Sequence, residues 1–286
     1  MFNRNQQPLT NDQLFRIAPS IFAEEKHESR SDRYAYYSTR EVLEALKKEG
    51  FYPYSAMQSG SRIPGKSNFT KHLIKFRHAS QRDIILSVGD EIQEICFTNS
   101  HDGTCKAIFQ NGIFRLACSN GMMVGQSMET VSIAHRVLTT DNVIEGAYTV
   151  LKQQEQVQAL MEDMKSITLI PAEQQLLAHT SSALRWNEDD WRPSTKQLLS
   201  IRRTADKEPT LWNTFNVLQE NMVKGGISKD VNVPKEHIYG KNRVRGVTGI
   251  SELTKLNASL FDLADGMRRI KMGLPAFDEI DISDFA

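Results

Sequence analysis

Residues 60–67 read GSRIPGKS, a letter-for-letter match to Gly-x-x-x-x-Gly-Lys-Ser. In nucleotide-binding proteins that spacing lets backbone N–H groups cradle phosphates, while the lysine reaches the β- and γ-phosphates and the hydroxyl meets Mg²⁺. Gly60, Lys66 and Ser67 would fill those roles here. The chemistry requires an apolar strand before the loop and a helix N-terminus directly after it. YPYSAMQS passes as the strand, but NFTKHLIKFRHA fits a helix through Phe69, Leu73 and Phe76 and a strand through Ile74 and Phe76. Pro64 also removes one of the N–H groups that would hold phosphate. Downstream, IILSVGDE resembles an acid-ended Mg²⁺ strand, yet only 22 residues separate Ser67 from Asp90. The favoured expectation is therefore a Gly/Ser/Pro hairpin loop carrying Arg62 and Lys66 into solvent, with P-loop nucleotide binding as the alternative.

Covalent or metal chemistry finds little support. There is no H-E-x-x-H or G-x-S-x-G, and none of the 7 histidines pairs with another at helical spacing. His101, Asp102, Cys105 and Cys118 could be imagined around a metal, but strong zinc signals use close Cys/His pairs at both ends. The expectation is no catalytic residue, no metal, no cofactor, and a protein that is not an enzyme.

Nucleic-acid binding has more to work with. On a strand, the two-residue period puts Lys71, Lys75 and Arg77 on one face, beside the loop with Arg62 and Lys66. Such a row tracks phosphates, and aromatic side chains stack bases; Tyr34 and Tyr36, with Tyr37, Tyr52 and Tyr54, are the candidates. Arg202, Arg203, Lys241, Arg243 and Arg245 form a second basic area, in a stretch from Arg192 to Arg245 with 11 Lys/Arg against 5 Asp/Glu. A solvated charged surface with core tyrosines is the competing account. The formal net charge is 0, yet the last ten residues, FDEIDISDFA, carry four acids and no base. Phe277, Asp278, Asp281, Asp284 and Phe285 make this end similar to the acidic, aromatic tips of single-strand-binding proteins, which recruit protein partners. It departs from them in ending at Ala286.

The elements that must position these residues follow from pattern. At 40% apolar and 24% charged, the 286-residue chain has a globular composition. No apolar run approaches a membrane span, the start lacks a secretory h-region, and three cysteines suit a reducing cytoplasm. Four segments are expected: 1–37, a helical segment with a basic and aromatic loop; 38–138, an α+β core; 139–272, a helical region with a basic loop; and 273–286, a disordered acidic tail. Capping boxes are expected at Thr10–Gln13 and Ser38–Glu41. In the core, short runs such as KHLIKFRHA, DIILSV, EICFTN, CKAIFQ and IFRLACS predict an antiparallel meander turning at HDG and QNG. Val143, Ala147, Val150, Val157, Met161 and Met164 predict one helix of about six turns. Helices are also expected from PAEQQLLAHTSSALRW, PTLWNTFNVLQENMVKGG and SELTKLNASLFDLADGMRRIKM.

KHESRSDRY, TNSHDGTCKAIFQNGIFRLACSNGMMVG, IEGAYTVL and WNTFNVLQENMVKGGI together resemble the uncharacterised phage/plasmid-like protein family, over roughly residues 8–271. Its members are encoded by prophages, plasmids and integrative elements. The resemblance implies a setting among recombination, repair and antirestriction genes, and no P-loop signature. The order helix, antiparallel meander, long helix is also similar to that of Rad52-type single-strand annealing proteins, which work as rings or filaments. The reading is an α+β protein, with a central antiparallel β-meander, flanking helices and a helical C-terminal half. It binds single-stranded DNA, as an annealing protein or otherwise, and an anti-defence protein-interaction factor is the alternative.

Overall fold

The computed structural model describes residues 7–31, 34–81, 90–115, 120–123, 130–135, 138–187, 191–229 and 243–275. Lys241, Cys118, all of DIILSV and the acidic end with Phe277, Asp278, Asp281, Asp284 and Phe285 lie outside them. The chain divides into two compact units, the first ending at Glu155.

The first unit opens with α1 (Asn11–Ile17), capped reciprocally by Thr10 and Gln13, and a 3₁₀ turn at Pro19–Phe22. Helix α2 (Thr39–Lys48) is capped by the Ser38 hydroxyl, which accepts from Glu41 N–H. The sheet runs β1 (Phe51–Gln58), β2 (His72–His78), β3 (Glu91–Asn99), β4 (Ala107–Arg115) and β5 (Asn120–Met123), in that spatial order and antiparallel. Strand β6 (Val131–Ile133) pairs with the start of β4, beyond the stretch that β5 occupies. Alternation sends Ala56, Ile74, Phe76, Ile95, Phe97 and Phe109 to one face. There they form a core with Leu14, Val42, Leu43 and Leu46, and with Val143, Ala147 and Val150 of α3 (Thr140–Lys152). Gly146 lets α3 approach closely: a β-carbon there would stand 3.1 Å from the Phe109 ring.

Two expectations change. The HDG stretch is a turn, with Gly103 at φ +71°, but QNG runs through the middle of β4. Asn111 is buried and donates to Gln153 Oε1 at 2.9 Å, so a turn-forming residue is held in extended backbone by a side-chain partner. The long helix is two helices, α3 and α4 (Gln154–Ser166). The break falls where the apolar stripe does: Gln153 accepts from Asn111 and Gln154 accepts from Gln81.

The second unit contains α5 (Pro171–Ser182), with Pro171 opening it, α6 (Thr195–Leu198), α7 (Leu211–Lys224) and α8 (Ile250–Lys271). Helix α7 is almost wholly enclosed, with Leu211, Trp212 and every position from Thr214 to Val223 buried. Two of its polar residues are matched across the unit: Gln219 donates to Asn257 Oδ1 at 2.8 Å, and Gln174 donates to Thr214 at 3.0 Å. Trp212, Phe215 and Phe261 form its aromatic centre.

Candidate nucleic-acid interface

GSRIPGKS joins β1 to the antiparallel β2, and Lys66 begins a four-residue 3₁₀ turn, Lys66–Phe69. A P-loop needs a helix whose first N–H groups converge on phosphate; a hairpin loop supplies none. Arg62 is exposed, and Lys66 sits 3.4 Å from Asp102 Oδ2.

This loop meets two others at one end of the sheet. His101 N–H donates to Phe69 O at 2.9 Å, and His27 N–H donates to His101 O at 3.0 Å. Tyr34 donates its hydroxyl to Ser100 O at 2.9 Å, and Arg30 lies over Gly103, whose added β-carbon would stand 2.9 Å from Arg30 Cδ. His27, Arg30 and Tyr34 of KHESRSDRY are therefore packing partners of SHDGTCK. Loops 59–71 and 100–106 carry Arg62 and Lys106, which are exposed, and Lys66 and Lys71, which are half-buried; their only acid, Asp102, is buried. Burial alone would raise the Asp102 pKa, but hydrogen bonds from Thr104 and the nearby Lys66 hold it below the usual carboxylate range.

Beneath the loops lies a buried chain of side chains. Thr70 O can only accept, so His72 carries its proton on Nδ1, 2.9 Å from Ser20 Oγ. His72 Nε2 then accepts from Thr39 Oγ1 at 3.0 Å. Thr39 in turn accepts from His101 Nε2 at 3.1 Å and from Asn99 at 2.9 Å. His101 Nδ1 is left without a hydrogen-bond partner among the described residues. Burial, with His135 nearby, pushes His101 down to about 4; burial and His101 push His72 well below the ordinary value. These rings orient the loops and are too enclosed to act on a substrate.

A pH dependence follows. Unfolded histidines take up protons near pH 6.5 whereas the buried pair does not, so the unfolded chain binds more protons below that pH and stability falls with acidification. We expect His101 alone to cost on the order of 3 kcal/mol between pH 7 and pH 4. Denaturant unfolding at pH 7, 5.5 and 4 checks this, and a profile flat across that range contradicts the buried neutral pair.

The structure corrects the expected strand face. Lys75 and Arg77 do share a side of β2, but both are buried around Glu94. Arg77 donates to Glu94 Oε1 at 2.9 and 3.0 Å, Lys75 is 3.8 Å from Oε2, and the Arg77 guanidinium lies 4.3 Å from the Tyr54 ring centre. A carboxylate occupies the place assigned to phosphate. Tyr36 and Tyr37 use their hydroxyls on Ala23 O and Thr140, and Tyr34 packs on His135. The Tyr36 ring also lines a cleft of about 370 Å³ with Glu24, Glu41, Glu44 and Arg40, a surface that repels phosphate. None of the three is an open stacking platform.

Arg202 and Arg203 are likewise occupied. Arg202 donates to Asn221 and to Gly225 O, both at 2.7 Å, and Arg203 grips the buried Glu220 with both η nitrogens. Burial opposes ionisation of Glu220, but Arg203 and Lys224 outweigh it and lower its pKa. These cations complement the C-terminal end of α7. Arg243 and Arg245, by contrast, are exposed. Residues that sequence reasoning does not single out are Lys106 and Arg30 at the sheet end, and Trp186, Trp191 and Lys229 in the second unit. Lys106 directly follows the β3–β4 turn, which is the one available signal. Among the described residues no group of His, Cys, Asp and Glu could hold a metal ion, and no helix is long and apolar enough to cross a membrane.

An α+β unit built on an antiparallel sheet and a helical unit built around a buried helix define the class. The chain belongs to the DUF932 family, a domain of unknown function, whose pattern matches residues 26–245. It is 39% identical over 264 residues to the UPF0380 protein YafZ of Escherichia coli (strain K12), covering 92% of this chain and 93% of that one. It is also 39% identical over 262 residues to the UPF0380 protein YfjQ of the same organism, covering 92% of each. No solved structure matches it.

Proposed function

We propose that the protein binds single-stranded DNA without covalent chemistry, in the cytoplasm, and serves recombination of a mobile element as an annealing protein that works as a homo-oligomer. The observation that supports this reading is the sheet end, where two hairpin loops carry Arg62 and Lys106 exposed, with Lys66 and Lys71 half-buried beside them, and their only acid bonded to Thr104 and near Lys66. A rim of cations on short, tied loops suits a flexible phosphate chain, and the charge supplies affinity and steering. The acidic segment beyond Pro275 recruits a protein partner in this reading.

Arg62 and Lys106 are the exposed members and test the site without touching the fold. The double substitution Arg62→Ala/Lys106→Ala weakens binding to single strands uniformly across sequences. It also lowers the slope of log affinity against log salt by about 1.4, or about 0.7 for each phosphate no longer neutralised. Fluorescence anisotropy with labelled oligonucleotides across a salt series measures both, and an unchanged slope removes these loops from the interface.

A further inference from the structure

We infer that the surface at the C-terminal end of α7 is a base-stacking site for single-stranded nucleic acid, with Trp191 as the platform and Lys229, Arg243 and Arg245 as phosphate contacts. This deepens the nucleic-acid reading and rests on it, adding unpaired bases as the ligand class recognised in the second unit.

The site is built by the way α7 ends. Gly225 and Gly226 take φ of +65° and +78° and turn the chain away. The turn is locked by residues 243–247, which pass alongside it: Gly226 N–H donates to Val244 O at 2.8 Å, Val244 N–H to Ile227 O at 2.9 Å, and Val247 N–H to Val223 O at 2.8 Å. Val244 and Val247 are thereby buried, and Arg243 and Arg245 are exposed. Ser228 bridges to Arg243, and Gln197 donates to Ser228 O at 2.9 Å, which fixes the position of the exposed Lys229 beside them.

The indoles complete it. Trp212 is 2% exposed and belongs to the core, whereas Trp186 and Trp191 are half-buried. Lys229 Nζ stands 5.9 Å from the Trp191 ring centre, and the Arg185 guanidinium 5.1 Å from that of Trp186. Arg185 also donates to Met222 O and Arg245 O, so the same cation that closes α7 ties Trp186 to the segment with Arg243 and Arg245. A half-open indole with a lysine at its ring offers a base a π-face and its phosphate a cation, the pairing used on single strands. Stacking on the indole is what distinguishes this site, so a duplex, whose bases are already stacked, gains nothing from it.

The test compares an intact single-stranded oligonucleotide with one of equal length and charge whose central nucleotides are abasic. We expect Trp191→Ala in the full chain to weaken binding of the intact strand about tenfold and to leave the abasic strand unaffected. Tryptophan emission quenched by DNA should lose most of its response in Trp191→Phe, which keeps an aromatic face and near wild-type affinity. That comparison also decides the matter if Trp191→Ala folds poorly. Equal affinity of wild type and Trp191→Ala for the intact strand, or quenching unchanged in Trp191→Phe, overturns the stacking site and leaves the sheet-end reading standing. Failure of the wild type to bind either strand overturns both.

Discussion

Glu94→Ala is expected to destabilise the protein by about 3–5 kcal/mol, a large share of the roughly 5–15 kcal/mol that ordinarily holds a domain folded. Glu94 is 1% exposed and lies between Lys75 and Arg77, which are 3% and 6% exposed. Desolvating three ionic groups is costly and is offset only while the opposite charges stay together; removing the Glu94 carboxylate takes the negative charge from between two buried cations. Glu94→Gln keeps an acceptor for Arg77 but no charge, and should fall between wild type and Glu94→Ala. Adding Lys75→Met to Glu94→Ala should recover part of the deficit, because one uncompensated charge then leaves the site. Urea unfolding of the four proteins measures this. A cost below about 1 kcal/mol for Glu94→Ala would mean that solvent reaches the triad, and Lys75 and Arg77 would again be open to phosphate.

Gly225→Ala is the second large effect. Gly225 holds φ +65° and ψ −140°, a region essentially restricted to glycine. An added β-carbon would also stand 2.4 Å from Val244 O and 2.8 Å from Arg245 O, both backbone atoms in a hydrogen-bonded segment. Strain and clash together should cost at least about 3 kcal/mol. The substitution should also detach residues 243–247 from α7. Gly226 provides the control: at φ +78° with nothing within 4 Å of its would-be β-carbon, alanine there should cost only about 1 kcal/mol. Thermal unfolding of both variants decides it, and equal costs would contradict the packing of residues 243–247 against α7.

Much of the fold is legible in local chemistry. Thr10, Ser38 and Pro171 mark helix starts by capping and by the missing proline N–H, and the Gly225–Gly226 pair marks the end of α7. The β2 alternation gives the two faces of the strand correctly. It cannot reveal which face is open, because the partner that buries Lys75 and Arg77 is Glu94, which lies on the next strand, 17 residues beyond Arg77. Asn111-Gly112 shows the same limit: its turn propensity is real, but the bond from Asn111 to Gln153 is made only in the folded chain. Gln154 alone interrupts an apolar stripe that is otherwise continuous, so the break in the helix is visible as a single anomaly in the pattern. For the site, arginines look alike in sequence. Arg202 and Arg203 are adjacent to partners supplied by α7, while Arg243 and Arg245 face outward because Val244 and Val247 take the inner positions. The indoles carry no comparable signal, because tyrosines cluster near the basic loops and the approach of Lys229 to Trp191 joins residues far apart in the chain.

Single-stranded DNA held through cations on tied loops is the central claim. Anisotropy of labelled single-stranded and duplex DNA, with the full chain and with a chain ending at Pro275, titrated at several salt concentrations, tests it most directly. The account predicts preference for single strands, log affinity falling linearly with log salt, and a further gain when the acidic end is removed. Absence of binding to either DNA at low salt would contradict it, and would point to a protein as the ligand of the sheet-end loops.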